Sequence, residues 1–239
     1  MKPLLEVSGL VKHFPIRRDV VDTLRGSPKQ VVQAVDGVDF HINPGETLGL
    51  VGESGCGKST VGRAILRLFE PTSGTILLDG RQIEALSQAE MRDVRRNLQV
   101  VFQDPFASLN PRRTVGQAVA EPLQNYGNDS ESAVRAEVER IFAKVGLRLD
   151  QVDRYPHEFS GGQRQRIGIA RALALKPKLI VLDEPVSALD VSVQAQVIAL
   201  LKRLCRDKGM AMMLVTHDKI GRAHAEPSHL DLSRMPSSA

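Results

Sequence analysis

Residues Gly52–Thr60 have the types and spacing of a loop that binds a phosphate chain. They read GESGCGKST, which is the pattern G-x-x-x-x-G-K-[ST]. The glycines let successive backbone N–H groups turn toward phosphate oxygens. Lys58 adds a charge for the β- and γ-phosphates, and the Ser59 hydroxyl suits a magnesium ion. An apolar run, Thr47–Val51, precedes the loop and a helical pattern, Val61–Phe69, follows it, so we predict binding of a nucleoside triphosphate. The nucleotide-binding residues predicted in this loop are Gly52, Ser54, Gly55, Cys56, Gly57, Lys58, Ser59 and Thr60.

Two acids follow a second apolar run. Leu179–Leu182 is typical of a strand buried in a parallel sheet, and it leads directly into Asp183 and Glu184. Ionised carboxylates are costly inside a sheet, so a pair at a strand end indicates a metal or a catalytic role. The alternative is a strand end where acids simply meet solvent. Beside a phosphate loop, Asp183 suits the magnesium ion, directly or through water, and Glu184 suits a water that attacks the γ-phosphorus.

A second glycine-rich helix start occurs at Ser160–Gln163, which reads SGGQ. It is an anion site of the same physical type as the first loop. One triphosphate does not need two such sites from one chain. The sequence therefore favours two chains that face each other, with each nucleotide between the Lys58 loop of one chain and the Ser160 loop of the other.

Composition limits the class of protein. At 239 residues the chain suits one mixed α/β domain with a subdomain. A net charge of +4 with scattered Lys and Arg predicts no direct nucleic-acid partner. Two cysteines, Cys56 and Cys205, predict no disulfide framework and fit a reducing compartment. The chain has neither an apolar run near the roughly 18–20 residues needed to cross a bilayer nor a signal-peptide pattern, so we expect a cytosolic protein or one held peripherally at a membrane by a partner.

The segment from residue 104 to about 156 differs from the rest. Pro111, Pro122 and Gly127 are predicted to separate its helices. The clearest helix, from about Ser130 to Val145, has apolar residues at three- and four-residue steps. This pattern indicates a helical subdomain inserted into the nucleotide-binding sheet.

With these motifs in order, the chain resembles the ATP-binding-cassette (ABC) ATPases over about residues 4–218. The matching motifs are the Walker A loop Gly52–Thr60, the Q-loop glutamine Gln103, the signature Ser160, Gly161, Gly162 and Gln163, the Walker B end Asp183-Glu184, the D-loop Ser187-Ala188-Leu189-Asp190 and the switch histidine His217. Phe14 falls where the family stacks an aromatic ring on adenine. Phe159 stands where leucine is commonest, which is expected to alter packing rather than phosphate contact.

The resemblance implies a fold and a set of roles. The fold is α/β: a P-loop NTPase parallel-sheet core with an N-terminal antiparallel β subdomain and an inserted helical subdomain at about residues 104–170, all within a nucleotide-binding domain of residues 1–218. The implied cofactors are ATP and Mg²⁺, with Ser59, Gln103 and Asp183 at the metal and with Glu184, His217 and Gln103 in ATP hydrolysis. Ser187 and Asp190 would serve in the D-loop. The implied partners are a second ABC ATPase subunit, in a homo- or heterodimer, and membrane permease subunits, through which the protein would lie peripherally at the cytoplasmic face of the cell membrane.

Three stretches resemble the ATPases of oligopeptide and dipeptide importers within this family: Val101–Pro111, Tyr155–Phe159 and Pro185–Gln196. Three alternatives remain. The first is the ATPase of an importer for nickel or another small solute. The second is a truncated nucleotide-binding module that binds ATP without productive turnover. A soluble cassette ATPase that acts on DNA or the ribosome is disfavoured, because the segment between Gln103 and Ser160 is short and has no coiled-coil arm.

The last 21 residues, 219–239, depart from the family pattern. They contain four large apolar side chains and no helical or strand period. We predict a non-native or disordered tail there, and therefore a parallel sheet with an exposed edge.

Overall fold

The computed structural model describes residues 2–16, 31–104, 108–127, 129–185, 189–216 and 228–232. Within these ranges the strands are β1 Leu5–Pro15, β2 Val31–Ile42, β3 Thr47–Val51, β4 Ser73–Leu78, β5 Arg81–Gln82, β6 Leu98–Val101, β7 Leu179–Asp183, β8 Ala211–Thr216 and β9 Ser228–Asp231. The helices are α1 Lys58–Ile65, α2 Gln88–Asn97, α3 Val115–Tyr126, α4 Glu131–Val145, α5 Gly161–Leu173 and α6 Val191–Lys208.

The N-terminal part forms an antiparallel sheet with the strand order β2-β1-β4-β5. Leu5 lies at its centre, opposite Ile42 on one side and Leu78 on the other. All three side chains are buried, because one face of this sheet covers the core.

A second, parallel sheet has the order β6-β7-β8-β3-β9. Since parallel strands all end at one edge, the segments that follow β3, β6 and β7 meet there. These segments carry the phosphate loop, Gln103 and Glu184, respectively. The topology therefore gathers the predicted motifs at the carboxyl edge of one sheet.

Helices cover both faces of the parallel sheet. Along β7, Ile180 and Leu182 belong to one buried cluster, whereas Leu179 and Val181 belong to another. Helix α1 packs into the cluster of Leu179 and Val181, where Gly62 allows a close approach to β7. Helices α5 and α6 pack into the opposite cluster, as do α3 and α4.

The fold class predicted from the sequence is confirmed, with a parallel core, an antiparallel β subdomain and helices α3 to α5 inserted between β6 and β7. Among the described residues, no helix combines the length and the apolar character needed to cross a bilayer.

Two local expectations were wrong. The tail was expected to be non-native or disordered and to leave an exposed sheet edge. Residues 228–231 instead form β9, which is parallel to β3 and covers its outer edge. Leu232 follows β9 and is buried in the core beside α1 and β3. Pro122 does not end a helix but lies inside α3, where the burial of Val115 and Val119 offsets the missing N–H donor.

Candidate nucleotide-binding site

The phosphate loop closes around the amine of its own lysine. Lys58 Nζ donates hydrogen bonds to the carbonyl oxygens of Gly52, at 2.9 Å, and Glu53, at 2.6 Å. Only 4% of Lys58 is exposed. A buried ammonium needs such partners, and they hold its charge within the loop.

Gly57 is the residue that precedes α1, and its geometry admits only glycine. Its φ of +91° lies in the left-handed region. An added Cβ would lie 2.0 Å from the carbonyl oxygen of Ala34 in β2, so the loop packs directly on the antiparallel sheet. Gly57 supplies no side-chain cap, and the first turn of α1 has no acidic residue. The N–H groups of this turn are therefore suited to an anion.

Two oxygens meet where a metal ion was predicted. The Ser59 hydroxyl donates to Asp183 Oδ1 at 2.7 Å, which joins the first turn of α1 to the end of β7. Asp183 is 5% exposed, and Arg63 Nη2 lies 3.6 Å from its other oxygen, Oδ2. A hydroxyl and a carboxylate beside a phosphate loop match the hard oxygen ligands that Mg²⁺ takes together with phosphates, so these residues fit that ion.

Gln103 and Glu184 meet across the same edge. Gln103 Nε2 donates to Glu184 Oε2 at 2.8 Å. The backbone of Glu184 donates to Val215 O at 3.1 Å, which continues the ladder between β7 and β8 for one more residue. Its φ of +47° then turns the chain away from the sheet. The carboxylate is therefore held at a defined position beyond the strand end.

The Ser160 loop begins α5 as a capping box. Ser160 Oγ accepts from the Gln163 N–H, and Gln163 Oε1 accepts from the Ser160 N–H at 3.0 Å. Ser160 itself is exposed. Gly162 lies against α6, where a Cβ would be 2.4 Å from Val193 Cγ1. Phe159 is buried in the core with α5, in keeping with the predicted packing role.

Phe14 lies at the end of β1 and is half-buried. The ring of Phe69 meets it edge-to-face, with centroids 5.3 Å apart. Lys12 Nζ lies 4.9 Å from the centroid of the Phe14 ring. Stacking of adenine on Phe14 stays a prediction.

Some predicted residues lie outside the described part of the chain. His217 and Ser187 are among them, whereas Asp190 precedes α6 and is exposed. Arg63 is not among the site residues predicted from the sequence. Ser59 and Arg63 are four residues apart on α1, a spacing that places both on the face toward Asp183 and could have indicated this contact.

The parallel sheet, the Lys58 loop and the acids at the end of β7 define a P-loop nucleotide-binding protein. The family described as ABC transporter matches residues 35–187, and the chain belongs to this family.

Relatives with curated names support this placement. The putative oligopeptide transport ATP-binding protein YkfD of Bacillus subtilis (strain 168) is 53% identical over 217 residues, which cover 90% of this chain and 63% of YkfD. The glutathione import ATP-binding protein GsiA of Salmonella typhimurium (strain LT2) is 51% identical over 217 residues, which cover 91% of this chain and 34% of GsiA. The chain thus spans less than two thirds of the length of either relative.

Among solved structures, the dimeric post-hydrolysis state of the ATP-binding cassette MJ0796 bound to ADP and Pi has a TM-score of 0.82. It is 29% identical to this chain, and the match covers 96% of this chain and 95% of MJ0796.

The two cysteines are expected to differ in reactivity. Cys56 is partly exposed, and its Sγ lies 3.8 Å from Lys58 Nζ, whereas burial raises the pKa of the Cys205 thiol to about 11. At neutral pH little Cys205 is thiolate, so iodoacetamide should modify Cys56 alone.

We expect modification of Cys56 to prevent nucleotide binding, and we expect bound ATP to slow the modification. Labelling is followed by mass spectrometry. Unchanged nucleotide binding after complete modification of Cys56 would refute the prediction, and a Cys205→Ser variant should be labelled and inactivated like the wild type.

Proposed function

We propose that the protein is the ATP-binding and ATP-hydrolysing subunit of a membrane importer for oligopeptides or dipeptides. The observation that carries this proposal is the pair of contacts at one sheet edge: Ser59 to Asp183 and Gln103 to Glu184. A nucleotide-binding loop needs neither carboxylate to hold phosphate. Their convergence beside Lys58 is what hydrolysis requires in addition.

The phosphate chain would be bound by the loop amides, the first turn of α1 and the Lys58 amine. Ser59 and Asp183, with Gln103, would hold the magnesium ion. When bound, that ion would neutralise phosphate charge and favour the departure of ADP. The buried position of Asp183 fixes its carboxylate with respect to the loop, so its orientation requires no rearrangement during the reaction.

Glu184 would orient the attacking water and accept its proton. The carboxylate lies one residue beyond β7 and is held by Gln103, which follows β6. The same glutamine side chain can thus respond to the nucleotide and place the general base. His217, which follows β8, is proposed from the family resemblance to contact the γ-phosphate and the water.

The complete site is proposed to need two chains. Ser160 is exposed, and its helix α5 packs on the sheet face opposite α1. The likeness to a dimeric cassette bound to ADP and Pi also supports this arrangement. Each nucleotide would then lie between the Lys58 loop of one chain and the Ser160 loop of the other.

Complementation tests the two-chain site. Lys58→Ala removes the phosphate-loop amine, and Ser160→Arg fills the exposed signature with a bulky side chain. Each variant alone is expected to lack ATP turnover. A 1:1 mixture should regain about a quarter of the wild-type rate, because half of the dimers are mixed and each of those has one intact site of two. Absence of recovery, although both variants fold and Ser160→Arg still binds ATP, would contradict the proposal.

A groove between β6 and the helices α3 and α5 is the proposed contact for the permease. Its volume is about 300 Å³. Apolar side chains line part of it, and charged groups lie among them: Leu66, Leu68, Val100 and Leu175, with Arg95, Glu121 and Arg171. This mixture suits a short amphipathic helix, and it would hold the protein at the cytoplasmic face of the membrane.

Peptide cargo is proposed because YkfD is named as an oligopeptide transport protein and GsiA as a glutathione importer, and glutathione is itself a tripeptide. The test is ATP turnover by the protein in complex with its permease in vesicles. ATP turnover should rise when a solute-binding protein loaded with peptide is added, and should not rise when one loaded with nickel is added. Stimulation by nickel alone would replace the peptide proposal while leaving the ATPase intact.

A further inference from the structure

The carboxylate of Asp183 has two different partners, one at each oxygen. Oδ1 accepts from the Ser59 hydroxyl at 2.7 Å, and Oδ2 lies 3.6 Å from Arg63 Nη2. The Asp183 side chain is 7% exposed, whereas that of Arg63 is 43% exposed. Both partners come from one face of α1, but only one of them brings a charge.

Ser59 and the surrounding core are sufficient to orient Asp183. The hydrogen bond to Ser59 is short, the side chain is almost fully buried, and residue 183 still belongs to β7. A hydroxyl can donate to a carboxylate while its lone pairs remain available for a metal ion. Orientation of Asp183 therefore does not depend on a long, half-exposed arginine.

Arg63 also lies near an aromatic ring. Its guanidinium carbon lies 6.0 Å from the centroid of Phe69, and the Phe69 ring packs edge-to-face on Phe14. Arginine commonly rests over such rings, so the guanidinium keeps a partner if Asp183 is shared with another cation. The ring thus keeps the positive charge close to the carboxylate.

We propose that Arg63 is a competing cation that lowers the affinity of the Ser59–Asp183 site for its divalent metal ion. A dication that uses Asp183 shares this carboxylate with the guanidinium, and two cations at one carboxylate repel each other. The consequence is a weaker metal site, which releases the metal with the product more readily. This inference rests on the proposed function, because it concerns the metal ion of ATP hydrolysis.

The test measures Mn²⁺ binding in the presence of ADP, with the protein in excess over ADP. Free Mn²⁺ is quantified from its electron paramagnetic resonance signal. Arg63→Gln removes the charge and is expected to raise Mn²⁺ affinity roughly two- to fivefold, the range of a half-exposed charge pair. Arg63→Lys keeps the charge and should bind Mn²⁺ like the wild type. The difference between wild type and Arg63→Gln should shrink at high salt, since the guanidinium is accessible to ions.

A matched control removes the same charge elsewhere. Arg148 is 78% exposed and pairs with Asp150 in the helical subdomain, so Arg148→Gln should leave Mn²⁺ affinity unchanged. Arg63→Met, which keeps the aliphatic stem, serves as a second neutral variant if Arg63→Gln does not fold.

The outcomes separate the two proposals. Mn²⁺ affinity that is unchanged or weaker in the neutral variants overturns the competing-cation role, and weakening in Arg63→Lys as well would show an orienting role instead. If the wild-type protein with ADP retains no more Mn²⁺ than ADP alone, the proposed function itself fails.

Discussion

Glu184→Gln is expected to reduce the kcat of ATP hydrolysis by roughly 10²- to 10⁴-fold, because it removes the proposed general base. The amide has the size of the carboxylate and can still accept the hydrogen bond that Gln103 Nε2 now donates to Oε2 at 2.8 Å. It cannot take a proton from water. The apparent affinity for ATP should therefore stay within about twofold, since only a transition-state interaction is removed.

Two measurements distinguish this result from a loss of folding. ATP affinity is measured by equilibrium binding, and turnover is measured as phosphate release at saturating ATP. Glu139→Gln is the matched control, because Glu139 is a partly exposed partner of Arg135 on α4 and should leave both quantities unchanged. Turnover within tenfold of wild type would exclude Glu184 as the base. A parallel loss of ATP affinity would show that its role is structural.

The hydrogen bond between Gln103 and Glu184 also links two parts of the molecule. Gln103 follows β6 and leads into the helical segment, whereas Glu184 follows β7 and begins the loop before α6. A displacement of α3 or α5 relative to the sheet would therefore be transmitted to the carboxylate. If the proposed permease contact at the groove beside β6 is correct, this hydrogen bond gives a physical route by which that contact would alter ATP turnover.

The parts of the fold that the sequence predicted depend on local patterns. The phosphate loop needs specific residues at fixed spacing, and β7 is a continuous apolar run, so both could be recognised without knowing their neighbours. The meeting of Gln103 and Glu184 was expected only from the family resemblance, and the structure explains it, because β6 and β7 are parallel and end at the same edge of the sheet.

The parts that could not be predicted depend on contacts between distant segments. Strand β9 has no apolar pattern of its own and is stabilised by pairing with the open edge of β3, as well as by the burial of Leu232. The helix through Pro122 is stabilised by packing that local propensity does not include. Arg63 and Asp183 are 120 positions apart in the sequence, so the four-residue spacing of Ser59 and Arg63 could indicate their contact only once Ser59 was expected beside Asp183.

Gly57→Ala is expected to abolish nucleotide binding at concentrations that saturate the wild type. The new Cβ would lie 2.0 Å from the Ala34 carbonyl oxygen, so either β2 or the loop must move. Movement of the loop shifts the amides before α1 and misplaces the Lys58 amine. Losing two charge-assisted hydrogen bonds from the loop to the phosphates weakens nucleotide binding by roughly a hundredfold or more. The measurement is a fluorescent-nucleotide titration, with circular dichroism to show that the protein is folded.

Gly55→Ala is the control that separates the steric clash from backbone strain. Gly55 has a φ of +85°, close to the +91° of Gly57, but an added Cβ there would meet no atom within 4 Å. Left-handed strain of about 1–2 kcal/mol should therefore be its main cost, and part of that cost falls on stability rather than on binding. A smaller loss of affinity in Gly55→Ala than in Gly57→Ala would show that contact with β2 positions the phosphate loop. Equal losses of affinity in the two variants would show that the left-handed backbone alone positions the phosphate loop, and that the antiparallel sheet has no part in shaping the site.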